Sequence, residues 1–344
     1  MREFKILLVS RLLRNKTMAR MKTMMGIALC GLLCCAPLCA RGDESTNAPV
    51  TAIPRLVSVS VTNQPPQVAP VDDNIDSLRN KAEAGDKDSQ FALGYYYQYG
   101  LGVEKNAADA TSWYHKSADQ GDVRAQMMLG LCYANGTGVE KDSVEAAKWF
   151  RKAADQGNAV AQGCLGECYD LGSGVVKDEV ESVKWYRQSA NQGNAMAQYN
   201  LAVSYAKGTG IEKNVVEAAK WYRKSADQGY AQAQYNLGLC YEQGTGVEKD
   251  EVEAFNWFHK AADQGDAVAQ RNLGLLFIRG LGVMANDVEG LAWIYVSSAN
   301  GNEDAANFIS SEQTNYNDVT ISSARQRATE IQAEVASHTA RAKF

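Results

Sequence analysis

Proline disappears from this 344-residue chain after Pro70, where the last of its six prolines stands. Nothing beyond that point carries a proline break, so uninterrupted helices are expected there. Histidine is almost as scarce: His115, His259 and His338 are the only three. A basic surface is lacking too. Residues 1–40 hold seven basic side chains and one acid, which leaves 28 basic and 39 acidic residues beyond them and a net charge near −11. That balance excludes nucleic acid as the expected partner, because binding it takes clustered Lys and Arg to release counterions. Long apolar runs are missing as well, and the best of them, Met24 to Leu33, is too short for a comfortable membrane span.

That apolar run sits inside an export signal. Residues 1–40 read as a basic stretch, Arg11 to Lys22, then the apolar run, then small residues ending at Ala40. Cleavage is expected after Ala40, although Leu38 is larger than the residue usual at that place, and translation starting at Met18 or Met21 would shorten the basic part. The alternatives are an uncleaved anchor, or lipid attachment at Cys30, Cys34, Cys35 or Cys39; membrane contact is expected through this segment alone. Periplasmic or secreted localisation follows from the first reading. Residues 41–73 are rich in Pro, Thr, Ser, Asn and Val without helical period, and are expected to be a disordered linker. Within it Arg55 to Val61, RLVSVSV, alternates like a strand but has no strand to pair with.

What is abundant is repetition. The six tryptophans, Trp113, Trp149, Trp185, Trp221, Trp257 and Trp293, are spaced by 36 residues. The same step relates Gln90, Gln126, Gln162, Gln198, Gln234 and Gln270, and the loop glycines from Gly100 to Gly280. A fixed period of this size means a solenoid or a propeller. Within one unit Ala125, Leu129 and Tyr133 share a helical face. Gly130 beside them lets a partner helix approach closely, and Gly136 follows the last turn, where a left-handed residue closes a helix. The second half opens with Asp142 and Glu145, a capping residue with an acid three positions on, and Ala146, Trp149, Phe150 and Ala153 then form an apolar stripe that ends before Gly157. Neither helix hides its apolar face alone, so neighbours must stack, and each Trp contributes about 2–3 kcal/mol to the seam.

These residues resemble the Sel1-like repeat, a relative of the tetratricopeptide repeat, through the 36-residue spacing and the pattern AQxxLGxxYxxGxGVxKDxxEAxKWYRKAADQG. The resemblance implies an all-α fold, an α/α superhelical solenoid of six helix-turn-helix repeats used as a scaffold for protein complexes, in bacteria often exported. The units are expected at 86–121, 122–157, 158–193, 194–229, 230–265 and 266–301. A capping helix is expected at 74–85, with Ser77 where Trp would stand, and capping helices over 302–344, the last presenting Ile321, Ala324, Ala328, Ile331 and Val335 on one side.

Catalysis finds little material. His115 and His259 occupy the position that holds Arg151, Arg187 and Arg223 in other copies, and read as solvent-facing variants of an arginine. GTGVEK caps one helix and enters the next, without the strand and lysine placement of a phosphate loop. Cys132, Cys168 and Cys240 share one repeat position, too far apart on stacked helices for a relaxed bridge, and Cys164 with Cys168 lacks further ligands for a metal. Free thiols are expected, and no cofactor or metal. Cysteine-rich exported members of the resembled family pair cysteines about eight residues apart, a spacing absent here.

Specificity belongs where the copies differ. Arg124, Met128, Leu131 and Asn135 on the first helix become Val160, Cys164, Glu167 and Leu171, then Met196, Asn200, Val203 and Lys207, then Gln232, Asn236, Leu239 and Gln243, then Val268, Asn272, Leu275 and Arg279. Packing repeats; a ligand's requirements need not. Asn200, Asn236 and Asn272 form a ladder whose amides match the backbone of an extended peptide about every third residue, with Tyr199, Tyr235 and Arg271 supplying area and charge at the edge of a concave groove. The alternative is that these amides solvate a helix face or bridge neighbouring repeats. Two functions follow: a monomeric non-catalytic scaffold or adaptor binding proteins or extended peptides in that groove, or an exported enzyme or enzyme inhibitor acting at the cell envelope.

Overall fold

The structure is a computed structural model that describes residues 75–341. The expected signal segment and linker lie outside the described residues. The chain divides into Met1–Leu56 and Val57–Phe344, and all that is described belongs to the second unit. Among the described residues there are fifteen α-helices, a 3-10 turn at Gln313–Asn315, and no strand. Helix α1 (Ile75–Glu83) precedes six pairs: α2 (Lys87–Tyr99) with α3 (Ala107–Asp119), α4 (Val123–Asn135) with α5 (Ser143–Asp155), α6 (Ala159–Leu171) with α7 (Glu179–Asn191), α8 (Ala195–Lys207) with α9 (Val215–Asp227), α10 (Ala231–Gln243) with α11 (Glu251–Asp263), and α12 (Ala267–Arg279) with α13 (Asp287–Ala299). Helices α14 (Glu303–Glu312) and α15 (Asp318–Arg341) follow.

Both ends of each helix follow from short-range chemistry. Asp142 accepts from the backbone N–H of Val144 and Glu145 and starts α5. The first helices are capped in the same way by Asp86, Asp122, Asn158, Asn194 and Asp266. Only α10 departs, since Tyr230 stands at its cap position and offers no side-chain acceptor. At the other end Gly136 adopts φ 72° and returns its N–H to the Cys132 carbonyl.

Packing is sequential: each repeat helix lies against the helix before it and the helix after it. Inside a pair, a Cβ at Gly130 would overlap the Phe150 ring, so the glycine is what lets α4 and α5 close together. Between pairs, Trp149 is buried in one cluster with Phe91, Tyr114 and Leu129, which ties the second repeat to the first. Trp113 and Trp221 are half-buried, and a lysine three residues on lies over their rings, with Lys116 at 3.7 Å and Lys224 at 3.8 Å from the ring centre.

A buried polar chain runs through the same seam. Gln126 donates its Nε2 to the Ala118 carbonyl at 3.2 Å, the last turn of the preceding second helix, and its Oε1 accepts from Gln156 at 2.7 Å, at the end of its own second helix. Gln162 with Ala154 and Gln192, Gln198 with Ala190 and Gln228, and Gln234 with Ala226 and Gln264 repeat the motif. In the sixth repeat Asn300 takes the place of the last glutamine and donates to Gln270 at 2.9 Å.

The ends are covered. Leu78 and Ala82 of α1 are buried against Ala92 and Leu93. Helix α15 packs along α13 and reaches α11, burying Ala324, Ala328, Ile331 and Val335, with Ile321 half-buried. Arg327 fastens it to the sixth repeat by donating to Glu289 at 3.0 Å.

Gly174 shows how tightly the repeats stack, because its loop sits on the N-terminus of α5. Its φ is 74°, and a Cβ there would overlap the Ser143 carbonyl; the equivalent Gly102, at φ 69°, has no preceding repeat and open space around it. Alanine at Gly102 is expected to cost about 1–2 kcal/mol, the left-handed penalty alone, and alanine at Gly174 about 1–3 kcal/mol more from the clash. Urea denaturation of the two variants measures the difference, and equal losses would show that the loop contact does not hold the repeats together.

Candidate functional site

The variable residues of the first helices do share one face, but they are not all free to meet a ligand. Lys207 and Arg279 are exposed, Asn200, Asn236, Asn272, Tyr199 and Arg271 are half-buried, and Tyr235 is buried. The expectation that Tyr235 lines a groove edge is therefore corrected: its ring packs on Phe258 with centroids 5.7 Å apart, inside the seam. Tyr199 leans on Tyr222 at 5.9 Å and on Tyr230 at 5.3 Å. Cys164, which the comparison of copies placed on the same stripe, is 1% exposed, because a small thiol at this position sinks into the core.

Two of the asparagines have a tyrosine hydroxyl of the preceding first helix as a neighbour, 37 residues earlier. The Asn236 amide is a hydrogen-bonding neighbour of the Tyr199 hydroxyl, and the Asn272 amide of the Tyr235 hydroxyl, whose pKa burial pushes up to about 12. Burial raises the carboxyls of Asp170 and Glu242, against the opposing charges of Lys177 and Lys207 at the first and of Arg279 and Lys249 at the second. Two of the three asparagines thus lie against a tyrosine of the preceding repeat, and the Asn236 Nδ2 donates to the Gln232 carbonyl of its own helix at 2.8 Å. Asn200 differs: the residue 37 before it is Gly163, so no phenol backs its amide.

The first copy, left out of the stripe comparison, holds the apolar end of this face. A cleft of about 130 Å³ opens between α2 and α4, lined by Tyr95, Gln98, Tyr99, Met128, Leu131, Cys132, Asn135 and Thr137. The Tyr95 and Tyr99 rings lie 4.5 Å apart, and Tyr99 is 52% exposed. Tyr95 and Tyr99 are the copies of Leu131 and Asn135, so extending the comparison by one repeat would have found them.

The arginine position of the second helices is not the solvent-facing site expected for its histidines. Arg151 donates to the Tyr169 hydroxyl, and its guanidinium lies 5.1 Å from the Trp185 ring centre. His115 reproduces both contacts, with Nε2 at 2.9 Å from the Tyr133 hydroxyl and its ring edge-on to Trp149. Phe277 replaces the tyrosine opposite His259, which turns to Asp263 at 3.1 Å while stacking edge-on against Trp293. A groove of about 510 Å³ beside it mixes Arg223, His259 and Lys260 with Asp227 and Glu253.

Among the described residues no group of His, Cys, Asp and Glu converges as a metal site, and no helix is long and apolar enough to cross a membrane. Cys132, Cys164, Cys168 and Cys240 are buried free thiols, and burial raises their pKa values, that of Cys168 to about 12 and that of Cys240 to about 11. A buried thiol held protonated is a poor nucleophile and ligand.

Comparison with known proteins follows the architecture. The model of the Sel1 repeat matches residues 87–122, 123–158, 159–194, 195–230, 231–266 and 267–302. The chain is similar to a protective antigen, c5321, present in uropathogenic Escherichia coli strains and displaying an SLR fold: 33% identity and TM-score 0.67 over 78% of this chain. The match spans 58% of that antigen's chain. A Sel1 repeat protein from Oxalobacter formigenes matches with 33% identity and TM-score 0.58, over 65% of this chain and 96% of its own. No curated protein matches the chain.

His259, on the second helix α11, gives the fold a pH dependence. Its hydrogen bond to Asp263, the largest cause, raises its pKa above 6.5 against the opposing effect of burial. A raised folded-state pKa stabilises the protein fully below the unfolded value and loses that contribution as pH rises through the folded one. The pair is partly exposed, so the contribution is below about 1 kcal/mol. Replacing His259→Gln is expected to lower the melting temperature more at pH 5.5 than at pH 8; an equal drop at both would show that the imidazolium adds nothing.

Proposed function

The chain belongs to the Sel1 repeat family, and on that premise we propose that it is an exported, monomeric, non-catalytic scaffold that holds a protein or extended peptide segment along the face of its first helices. Sel1 repeats generally mediate protein–protein interaction. The finer reading rests on one observation: the residues that stack the repeats recur every 36 positions, whereas the solvent side of the first helices changes from copy to copy. That side runs from the Tyr95–Leu131 cleft, through the amide of Asn200, to Lys207 and Arg279. A surface of this kind, part apolar and part amide, meets a segment by side-chain insertion at one end and backbone hydrogen bonds along its length.

The reading as an envelope enzyme or inhibitor has less support. The carboxyls raised by burial stand on three different helices, Asp170 on α6, Glu242 on α10 and Asp266 at the cap of α12, and the charges of lysine or arginine oppose the rise at the first two. Perturbed acids that act together in catalysis share a site.

Two measurements test the proposal. In co-purification from the protein's own cells, Tyr99→Ala and Asn200→Ala combined are expected to reduce partner recovery at least tenfold, while Lys148→Ala, Lys184→Ala and Lys220→Ala, on the exposed side of the second helices, leave it unchanged. Melting curves check that both variants fold. Equal recovery with both would remove the first-helix face from the function. Export is tested separately by N-terminal sequencing of the protein recovered outside the cytoplasm, which is expected to begin at Arg41; a chain still beginning at Met1, Met18 or Met21 would replace cleavage by anchoring or retention.

A further inference from the structure

One position in the stack breaks the pattern that its copies obey. Residues 91, 127, 163, 199, 235 and 271 are equivalent by the 36-residue step. Phe91 and Met127 are buried, Gly163 has no side chain, and Tyr199 and Tyr235 pack on the rings of Tyr222 and Phe258. The sixth copy is Arg271. A guanidinium in a row otherwise filled by apolar and phenolic groups loses hydration on its flanks, and the packing it offers is available from tyrosine without that loss.

Arg271 also lacks the partner that makes a half-buried cation tolerable. Among the described residues no carboxylate stands within ion-pair distance of it. Its one hydrogen bond is from Nη1 to the Asn272 Oδ1 at 3.4 Å, and its Nε is buried without an acceptor. Asp266, the nearest acid in sequence, is committed to its own helix, where Oδ1 accepts from the Ala269 N–H at 2.8 Å. Of the other cations of this face, Arg124 pairs with Asp88 and Asp122, and Lys207 and Arg279 are exposed, where water solvates the charge. A residue that violates the local rule of its row with no compensating contact inside the protein marks a place where the compensation comes from outside.

We propose that Arg271 receives a side-chain carboxylate of the bound segment, so that the scaffold selects partners carrying an Asp or Glu opposite its sixth repeat. This rests on the reading that the first-helix face is the binding face. With Nε shielded, the paired Nη donors are left to meet the two oxygens of a carboxylate, the geometry for which a planar guanidinium is suited and an ammonium is not. The adjacent Asn272 accepts from Nη1 at 3.4 Å and leaves the outer Nη protons free. Because residues 41–344 carry a net charge near −11, general electrostatic attraction disfavours acidic segments, and any preference for them reports a local cation.

The test uses phage-displayed random 12-residue peptides selected on the intact protein and on R271Y, which installs the tyrosine of positions 199 and 235, with R271Q as a second variant should the tyrosine disturb the fold. Melting curves establish that each variant is folded. Peptides selected on the wild-type protein are expected to contain more Asp and Glu than the starting library, and those selected on R271Y or R271Q are not. Exchanging the acid of the tightest wild-type peptide for its amide is expected to weaken binding about tenfold to the wild-type protein, and less than about twofold to the variants. Wild-type peptides without excess acid, or an exchange that costs the same with all proteins, overturn the carboxylate assignment and leave the binding face standing. Failure of all three proteins to select any peptide overturns both.

Discussion

The stack depends on a buried glutamine in every first helix. Its amide makes two bonds at once: the nitrogen meets a carbonyl in the last turn of the preceding repeat, and the oxygen meets the side-chain amide at the end of its own second helix. The carbonyl belongs to a helix end and also accepts a backbone N–H of the loop that follows, so the glutamine adds a second bond to it from the next repeat. The glutamine side chain is itself buried, and left without these partners it would cost about 1–3 kcal/mol, so it ties the register of one repeat to the next. The tryptophan and Gly130-type contacts then supply the apolar area and the close approach, but only in the registry that the amides demand.

From that constraint the molecule follows as a one-dimensional object. Each helix meets its neighbours in order, so a change in one repeat is felt by the two beside it and little further. The ends carry the exceptions. Gly102 has no repeat to sit on, Asn300 replaces the terminal glutamine, and α15, clamped by Arg327 on Glu289, hides the last apolar face. The same linear order distributes the binding face. It offers tyrosines and a methionine at one end and a lone arginine near the other, and an extended partner would meet them in sequence.

Conflicts between a position and its copies are the informative events in such a chain. His115 in an arginine row keeps the contacts of the arginine, and so remains structural. Tyr230 at a cap position loses the cap and gains a ring contact with Tyr199, which leaves the account roughly even. Arg271 in a row of apolar and phenolic side chains gains nothing visible inside the protein. Physical compensation, present in the first two and missing in the third, separates drift from function.

The sequence by itself determined the helices, their pairing and their ends, because those rest on contacts between residues close in the chain: caps at Asp142, closure at Gly136, the stripe of Ala146, Trp149, Phe150 and Ala153. The repeat then multiplied each local signal sixfold, and the resemblance to a known family followed from the same residues. The tertiary structure alone decided which of the variable residues are available. Whether Asn236 faces a ligand or a tyrosine, whether Tyr235 is rim or core, and whether Arg271 has an acid depend on how helices pack within and between repeats. That packing is set by how side chains from neighbouring repeats interlock, and a periodic sequence, being the same at every step, does not encode it in any single copy.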